Sequence, residues 1–221
     1  LNNWIYFDNE PFIMSEIDAR ESDDLALTFF VSENATPGTS SGMIINLNSE
    51  NSFARNDTIE FFIGEPQIIS IDNFENGLDD WDVNGDWGLS SDVFDGLHAL
   101  SDSPDGDYQD GQETVAEYIR EVDFQFVSNP IIKFNAKWDI EPSYDFVRFQ
   151  ALITDSGWVS LSGQFTETGS GQPAQPFGEF GYDGLQEDWI EEKIFLEQLN
   201  GLAVSGSRFI QTSDNYVEGS G

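Results

Sequence analysis

The stretch Phe146-Val147-Arg148-Phe149-Gln150-Ala151-Leu152-Ile153 decides the fold class of this chain. Within it, the apolar residues at 147, 149 and 151 alternate with Arg148 and Gln150. Because successive side chains of a β-strand point to opposite faces of its sheet, this alternation predicts a strand with one buried face.

Similar runs, rich in β-branched and aromatic residues, lie on both sides of this strand. They cover residues 25–31, 42–47, 57–64, 68–75, 131–138 and 189–196. Asn, Gly, Ser and Pro separate them, as is typical of turns between short strands. A short helix is an alternative for residues 191–200, but Asn200-Gly201 favours a strand followed by a turn. The pattern predicts an all-β fold of the sandwich type.

A domain boundary is expected near Gly64-Glu65-Pro66, where one strand ends and the run 68–75 begins. Residues 1–65 then form a small β domain of immunoglobulin-like type, which roughly 65 residues would leave incomplete. Residues 66–221 form a second and larger β domain. The sequence shows no internal repeat.

Composition excludes several classes of function. The 221 residues contain no cysteine and one histidine, His98. A disulfide framework, a thiolate zinc site and a cysteine nucleophile are therefore excluded. A zinc hydrolase site of the usual two- or three-histidine kind cannot be assembled from this chain either. We therefore expect no catalysis by this chain itself.

The charge of the chain restricts its partners and its location. With 42 acidic and 8 basic residues, the formal net charge is −34. This charge disfavours nucleic acid and anionic membrane surfaces as partners. No run reaches the roughly 18–20 apolar residues that span a bilayer, so no membrane insertion is expected. Many carboxylates suit a saline, calcium-containing exterior, and we expect a secreted or cell-surface protein.

The most informative motifs lie between Asp72 and Asp214. They are Asp72-Asn73-Phe74-Glu75, Leu78-Asp79-Asp80-Trp81, the run 101–108, the run 136–141, Tyr144-Asp145-Phe146-Val147, the run 161–166, Tyr182-Asp183-Gly184, Arg208-Phe209 and Thr212-Ser213-Asp214. In this order they resemble the jelly-roll accessory domain that follows the catalytic domain of secreted bacterial zinc carboxypeptidases. They also resemble the corresponding domain of immune inhibitor A metallopeptidases and MAM-like modules.

The resemblance implies a jelly-roll β-sandwich without catalytic residues, whose partner is the catalytic domain of a parent peptidase. It implies a structural calcium ion, with zinc only in that catalytic domain. The family pattern closes with a strand reading roughly Asp-Gly-Phe-Tyr-Ile-Asp-Asp, whereas here Val217-Glu218 runs into Gly219-Ser220-Gly221. We therefore expect a sheet edge that is open or that borrows a strand.

A calcium loop is predicted at Asp102-Ser103-Pro104-Asp105-Gly106-Asp107. Three carboxylates within six positions repel one another unless a cation lies between them. The resemblance places calcium ligands at Glu75 and in this loop, which gives Glu75, Asp102, Asp105 and Asp107, with further ligands from the closing strand. The alternative is a tight acidic turn without an ion.

Other acidic and aromatic residues leave further alternatives open. The segments Trp138-Asp139-Ile140-Glu141 and Tyr144-Asp145 could supply a carboxylate pair for glycoside cleavage, although a plain turn between two strands is expected there. A face carrying Trp158, Trp189, Tyr182 and Phe177 could stack on sugars, which would make the chain a carbohydrate-binding module. A MAM-type adhesion domain that binds a glycan or a cell-surface protein is the third function class.

Overall fold

A computed structural model of the chain describes residues 4–7, 26–36, 38–48, 54–120, 122, 127, 130–199 and 204–215. The chain divides into two compact units, Leu1–Gln67 and Ile68–Gly221. This division falls close to the expected boundary at Gly64-Glu65-Pro66. The expectation about the end of the chain, residues 217–221, lies outside the described residues.

The first unit consists of two antiparallel strand pairs. Its strands are β1 (Ile5–Phe7), β2 (Phe29–Val31), β3 (Thr39–Asn48) and β4 (Ala54–Ile63). Strand β1 pairs with β2, and β3 pairs with β4. The rings of Phe29 and Phe61 lie 4.9 Å apart and join the two pairs.

The second unit contains the remaining described strands and one short helix. The strands are β5 (Trp81–Val83), β6 (Gly88–Ser90), β7 (Ala99–Ser101), β8 (Glu113–Tyr118), β9 (Ile131–Ile140), β10 (Phe146–Ile153), β11 (Gly157–Ser160), β12 (Glu167–Thr168), β13 (Phe180–Gly181), β14 (Gly184–Phe195) and β15 (Val204–Thr212). The helix is a single 3₁₀ turn, Leu196–Leu199. No helix of the described residues has the length and apolar character needed to cross a bilayer.

Two layers of strands enclose the core of the second unit. Five strands form an antiparallel sheet in the order β11-β10-β15-β8-β5, and β14 pairs with β9 in a second layer. Phe149 and Ala151 of β10 pack against Ile194 of β14. The ring of Phe134, on β9, lies 6.0 Å from that of Phe149 and 5.2 Å from that of Phe209. The predicted all-β class is confirmed, and the layers are consistent with a β-sandwich.

One predicted strand is absent, and another ends one residue earlier than predicted. Residues 68–75 form no strand, and Ile68 and Ile71 are exposed. The reason is an Asx turn, in which the Asp72 carboxylate accepts hydrogen bonds from the Phe74 N–H at 2.8 Å and from the Trp81 indole at 2.8 Å. The predicted strand 189–196 ends at Phe195, because the chain turns into the 3₁₀ helix at Leu196.

Candidate metal centre

One end of the five-stranded sheet gathers acidic residues from separate parts of the chain. Thr212, at the end of β15, lies opposite Phe146, at the start of β10, and β8 begins beside it. Residues just outside these strand ends therefore lie close together. Asp145 precedes β10, Asp214 follows β15 and Asp110 precedes β8.

Glu141 reaches the same place through the turn between β9 and β10. The N–H of Asp145 donates to the carbonyl of Glu141 at 3.2 Å. Ser143 adopts a left-handed φ of 70°, and its N–H donates to the carboxylate of Asp183 at 2.7 Å. This turn therefore holds Glu141 beside Asp145.

Glu141, Asp145 and Asp214 form an acidic cluster. Each offers one carboxylate oxygen, and the three oxygens lie within 4.8 Å of one another. Asp145 is fully buried. Its carboxylate accepts hydrogen bonds from the Tyr108 hydroxyl at 2.7 Å and from the N–H of Asp214 at 2.6 Å. The Tyr108 hydroxyl accepts one from the Glu141 N–H at 3.1 Å, so Tyr108 bridges two of the acidic residues.

Two buried carboxylate oxygens at this place lack a donor among the described residues. They are Oε2 of Glu141 and Oδ1 of Asp110. Buried polar atoms in folded proteins are nearly always hydrogen-bonded, and each exception needs a physical explanation. A cation bound at the acidic cluster would supply that explanation for the Glu141 oxygen.

Electrostatics at the acidic cluster penalise its negative charge. Burial raises the pKa of Asp145, and the charges of Asp214 and Asp110 raise that pKa further. The hydrogen bonds from Asp214 and Tyr108 lower it, but each by less than burial raises it. Burial and the charges of Asp145, Asp214 and Asp110 also raise the pKa of Glu141. In the part of the chain that the structure describes, no ion pair compensates Glu141 or Asp145.

The residues of the acidic cluster fit a calcium ion. Calcium binds six to eight oxygen ligands at about 2.3–2.6 Å, so two ligands of one ion lie at most about 5 Å apart. The oxygens of the acidic cluster satisfy that limit. Three carboxylates, with Asp110 beside them, would hold the ion, while magnesium demands a smaller octahedral shell with more water.

The residues predicted from the sequence lie elsewhere. Glu75 accepts hydrogen bonds from the backbone N–H groups of Leu97 at 2.6 Å and His98 at 3.1 Å, and the Leu97 bond is the main cause of its lowered pKa. It therefore acts as a cap for the 96–98 loop. Asp105 and Asp107 are exposed.

Asp102 alone of these four points inward. It is buried, accepts a hydrogen bond from the Ser103 hydroxyl at 3.0 Å and has a pKa raised by burial. Its charge also acts on Tyr108, which contacts the acidic cluster. Among the described residues, the acidic cluster is the only group of three or more possible ligands that lie this close together, so no three of Glu75, Asp102, Asp105 and Asp107 come together as ligands. Calcium binding by these four residues stays a prediction.

The four aromatic residues considered for sugar stacking do not share one exposed surface. Tyr182 is buried and packs against Trp138 at a centroid distance of 4.9 Å. The ring of Trp189 packs against Phe94 at 6.3 Å. Phe177 is exposed on a loop, and Trp158 lies at the end of β11.

Comparisons of the chain with protein-family models, with curated proteins and with solved structures find no match.

Proposed function

We propose that this chain is a non-catalytic accessory β-sandwich module of a secreted zinc peptidase of the carboxypeptidase kind, and that calcium stabilises it. Its partner is the catalytic domain of that peptidase, which alone would carry zinc. The observation that supports the calcium part best is the acidic cluster, where Asp145 is fully buried and a buried oxygen of Glu141 has no donor among the described residues.

A cation at the acidic cluster would stabilise the sandwich by joining segments distant in sequence. Glu141 and Asp145 flank the turn between β9 and β10, and Asp214 follows β15. These residues come from both layers of the second unit, since β9 belongs to one layer and β10 and β15 to the other. An ion that binds only the folded chain shifts the folding equilibrium by mass action.

The geometry supports a structural role for the acidic cluster over a catalytic one. Glycosidase carboxyl groups must reach a substrate. Here Asp145 is fully buried. A substrate cannot reach the Asp145 carboxylate without local unfolding.

The non-catalytic part of the proposal is tested by incubating the pure chain with peptide, ester and glycan substrates. We expect no turnover above background. Turnover that survives repurification and is lost in Asp145→Asn, but kept in the exposed control Asp105→Asn, would overturn this part. The accessory part is tested by sequencing the coding region upstream of residue 1, where we expect a His-x-x-Glu motif and a more distant His.

A further inference from the structure

The five-stranded sheet has a second face, opposite the core, on which Gln150 and Ser160 are buried while Trp158 and Arg208 are partly exposed. Even-numbered side chains of β10 lie on this face, because the odd-numbered Phe149 and Ala151 face the core. The register places Ser160 of β11 and Arg208 of β15 on the two sides of Gln150. We call this side of the sheet, from Ser160 across Gln150 to Arg208, the outer face.

A chain of hydrogen bonds crosses the outer face in one direction. The Arg208 Nε donates to Gln150 Oε1 at 2.8 Å, and the Gln150 amide donates to the Ser160 hydroxyl at 3.1 Å. The Ser160 hydroxyl in turn donates to the carboxylate of Glu179, on the loop before β13. Each bond fixes a side-chain conformation, so these polar groups are ordered before any ligand arrives.

Trp158 borders this chain of hydrogen bonds. It pairs with Leu152, which follows Gln150 by two residues on β10, so Trp158 lies on the same face as Gln150. Trp158 is partly exposed. The guanidinium of Arg208 lies 4.1 Å from the centroid of its ring. A contact of this type holds the ring and the guanidinium in a fixed relation.

Arg148 is the buried cation of the outer face. Its side chain is nine-tenths buried, and its nearest carboxylate in the described structure, that of Glu179, is 3.9 Å away. Its Nε is buried and has no acceptor among the described residues. A guanidinium carries five N–H donors, and leaving them buried without acceptors is costly. The buried Nε of Arg148 is out of reach of a ligand, so this residue contributes by pairing with Glu179, which is more exposed.

Local charge decides which class of ligand fits. Burial lowers the pKa of Arg148, whereas the charges of Glu179 and Glu113 raise it. Burial also lowers the pKa of Arg208, and the charges of Glu117 and Glu113 raise it. Two cationic and three anionic groups thus face one another here. The whole chain carries a net charge of −34, so an anionic ligand would be repelled. A neutral ligand that both donates and accepts hydrogen bonds fits better.

We propose that the outer face binds a neutral saccharide, with its hydroxyls on Arg208 and Glu179 and an apolar sugar face against Trp158. Sugar hydroxyls both donate and accept, which matches neighbouring guanidinium and carboxylate groups. The inference goes beyond the accessory role and does not depend on the acidic cluster.

The test is isothermal titration calorimetry of the full chain with neutral hexasaccharides of glucose, xylose, mannose and galactose, and with an oligogalacturonate. We expect at least one neutral hexasaccharide to bind with a dissociation constant of about 10 µM to 1 mM. Trp158→Ala and Arg208→Gln should each weaken this binding at least about tenfold. The matched control Trp189→Ala, which changes a partly exposed tryptophan of β14, should leave it unchanged.

Three results would overturn the proposal. The first is no binding of any neutral hexasaccharide at millimolar concentration, and the second is binding of the oligogalacturonate alone. The third is binding that persists in both Trp158→Ala and Arg208→Gln or that falls equally in Trp189→Ala. Near-ultraviolet circular dichroism of each variant shows whether a loss reflects misfolding. Arg208→Gln, a substitution of a partly exposed residue, keeps the test decisive where Trp158→Ala fails to fold.

Discussion

Replacing Asp145 by Asn should remove the specific effect of calcium on stability and leave the fold intact. Asn keeps the size of Asp145 but lacks its charge. In the wild-type chain, the Asp145 carboxylate accepts from Tyr108 and from the N–H of Asp214, and it shares the acidic cluster with Glu141. The variant therefore loses a calcium ligand at the centre of the proposed site.

Without calcium, two opposing effects of the substitution nearly cancel. Asn offers one acceptor oxygen, so either Tyr108 or the Asp214 N–H loses its partner, at a cost of about 1.5–3 kcal/mol for a bond to a charged group. Removal of the charge relieves repulsion, and two unit charges 4.8 Å apart repel by about 3–4 kcal/mol at an effective dielectric constant of roughly 20. The variant should therefore melt within a few degrees of the wild type in a chelator.

With calcium, the wild type and the variant should separate. At a calcium concentration of about one hundred times Kd, binding adds about 2.7 kcal/mol to the unfolding free energy of the wild type. For a domain of roughly 150 residues, each kcal/mol raises Tm by about 2–4 °C, so the expected rise is about 5–11 °C. Asp145→Asn should show only the small rise that magnesium gives through screening.

The assay is thermal unfolding followed by tryptophan fluorescence, in chelator, in calcium and in magnesium at equal ionic strength. Trp4 lies in the first unit and the other five tryptophans in the second, so the signal reports mainly the second unit. Asp105→Asn, on the exposed turn, is the matched control and should respond like the wild type. Equal shifts by calcium and magnesium in the wild type, or an undiminished calcium effect in Asp145→Asn, would refute the reasoning.

Three further predictions concern pH and buried hydrogen bonds. Because the pKa values of Glu141 and Asp145 are raised in the folded chain, folding binds protons, so calcium-free stability should rise as pH falls from 7 toward about 5. In thermal melts recorded across this pH range, Glu141→Gln should reduce the dependence of stability on pH. An unchanged dependence would contradict this prediction. Glu192→Ala should lower the unfolding free energy in urea by more than about 3 kcal/mol, because the fully buried Glu192 accepts bonds from Tyr182 and three backbone N–H groups; a loss below about 1 kcal/mol would contradict this. Tyr108→Phe should cost about 1.5–3 kcal/mol in the same assay, because it removes the donor to Asp145, and a neutral substitution would show that this bond contributes nothing.

Alternation of apolar and polar residues predicted some strands and missed others. The run 146–153 alternates clearly, and the structure forms β10 over the same residues. The prediction of a single buried face is wrong, because Arg148 and Gln150 on the other face are buried as well. Strands β8 and β15 were not predicted. In β15, Ser205, Ser207, Arg208 and Gln211 interrupt the apolar pattern, because this central strand carries polar groups on both faces. Polar residues in a central strand hide it from any pattern that relies on hydrophobicity.

The acidic cluster could not be predicted because its members are far apart in sequence. Close spacing drew attention to Asp102, Asp105 and Asp107, but two of those side chains point to solvent. Asp145 and Asp214 are joined by the antiparallel register of β10 and β15. The motifs that contain these two residues could be recognised in the sequence. In a chain with 42 acidic residues, however, only the pairing of the strands determines which carboxylates lie close together.

Calorimetric titration of calcium into the chelator-treated chain tests the central claim most directly. We predict a single strong site in the wild type and in Asp105→Asn, and its loss in Asp145→Asn. Absence of a calcium heat in the wild type, or a strong site that persists unchanged in Asp145→Asn, would contradict the assignment of calcium to Glu141, Asp145 and Asp214.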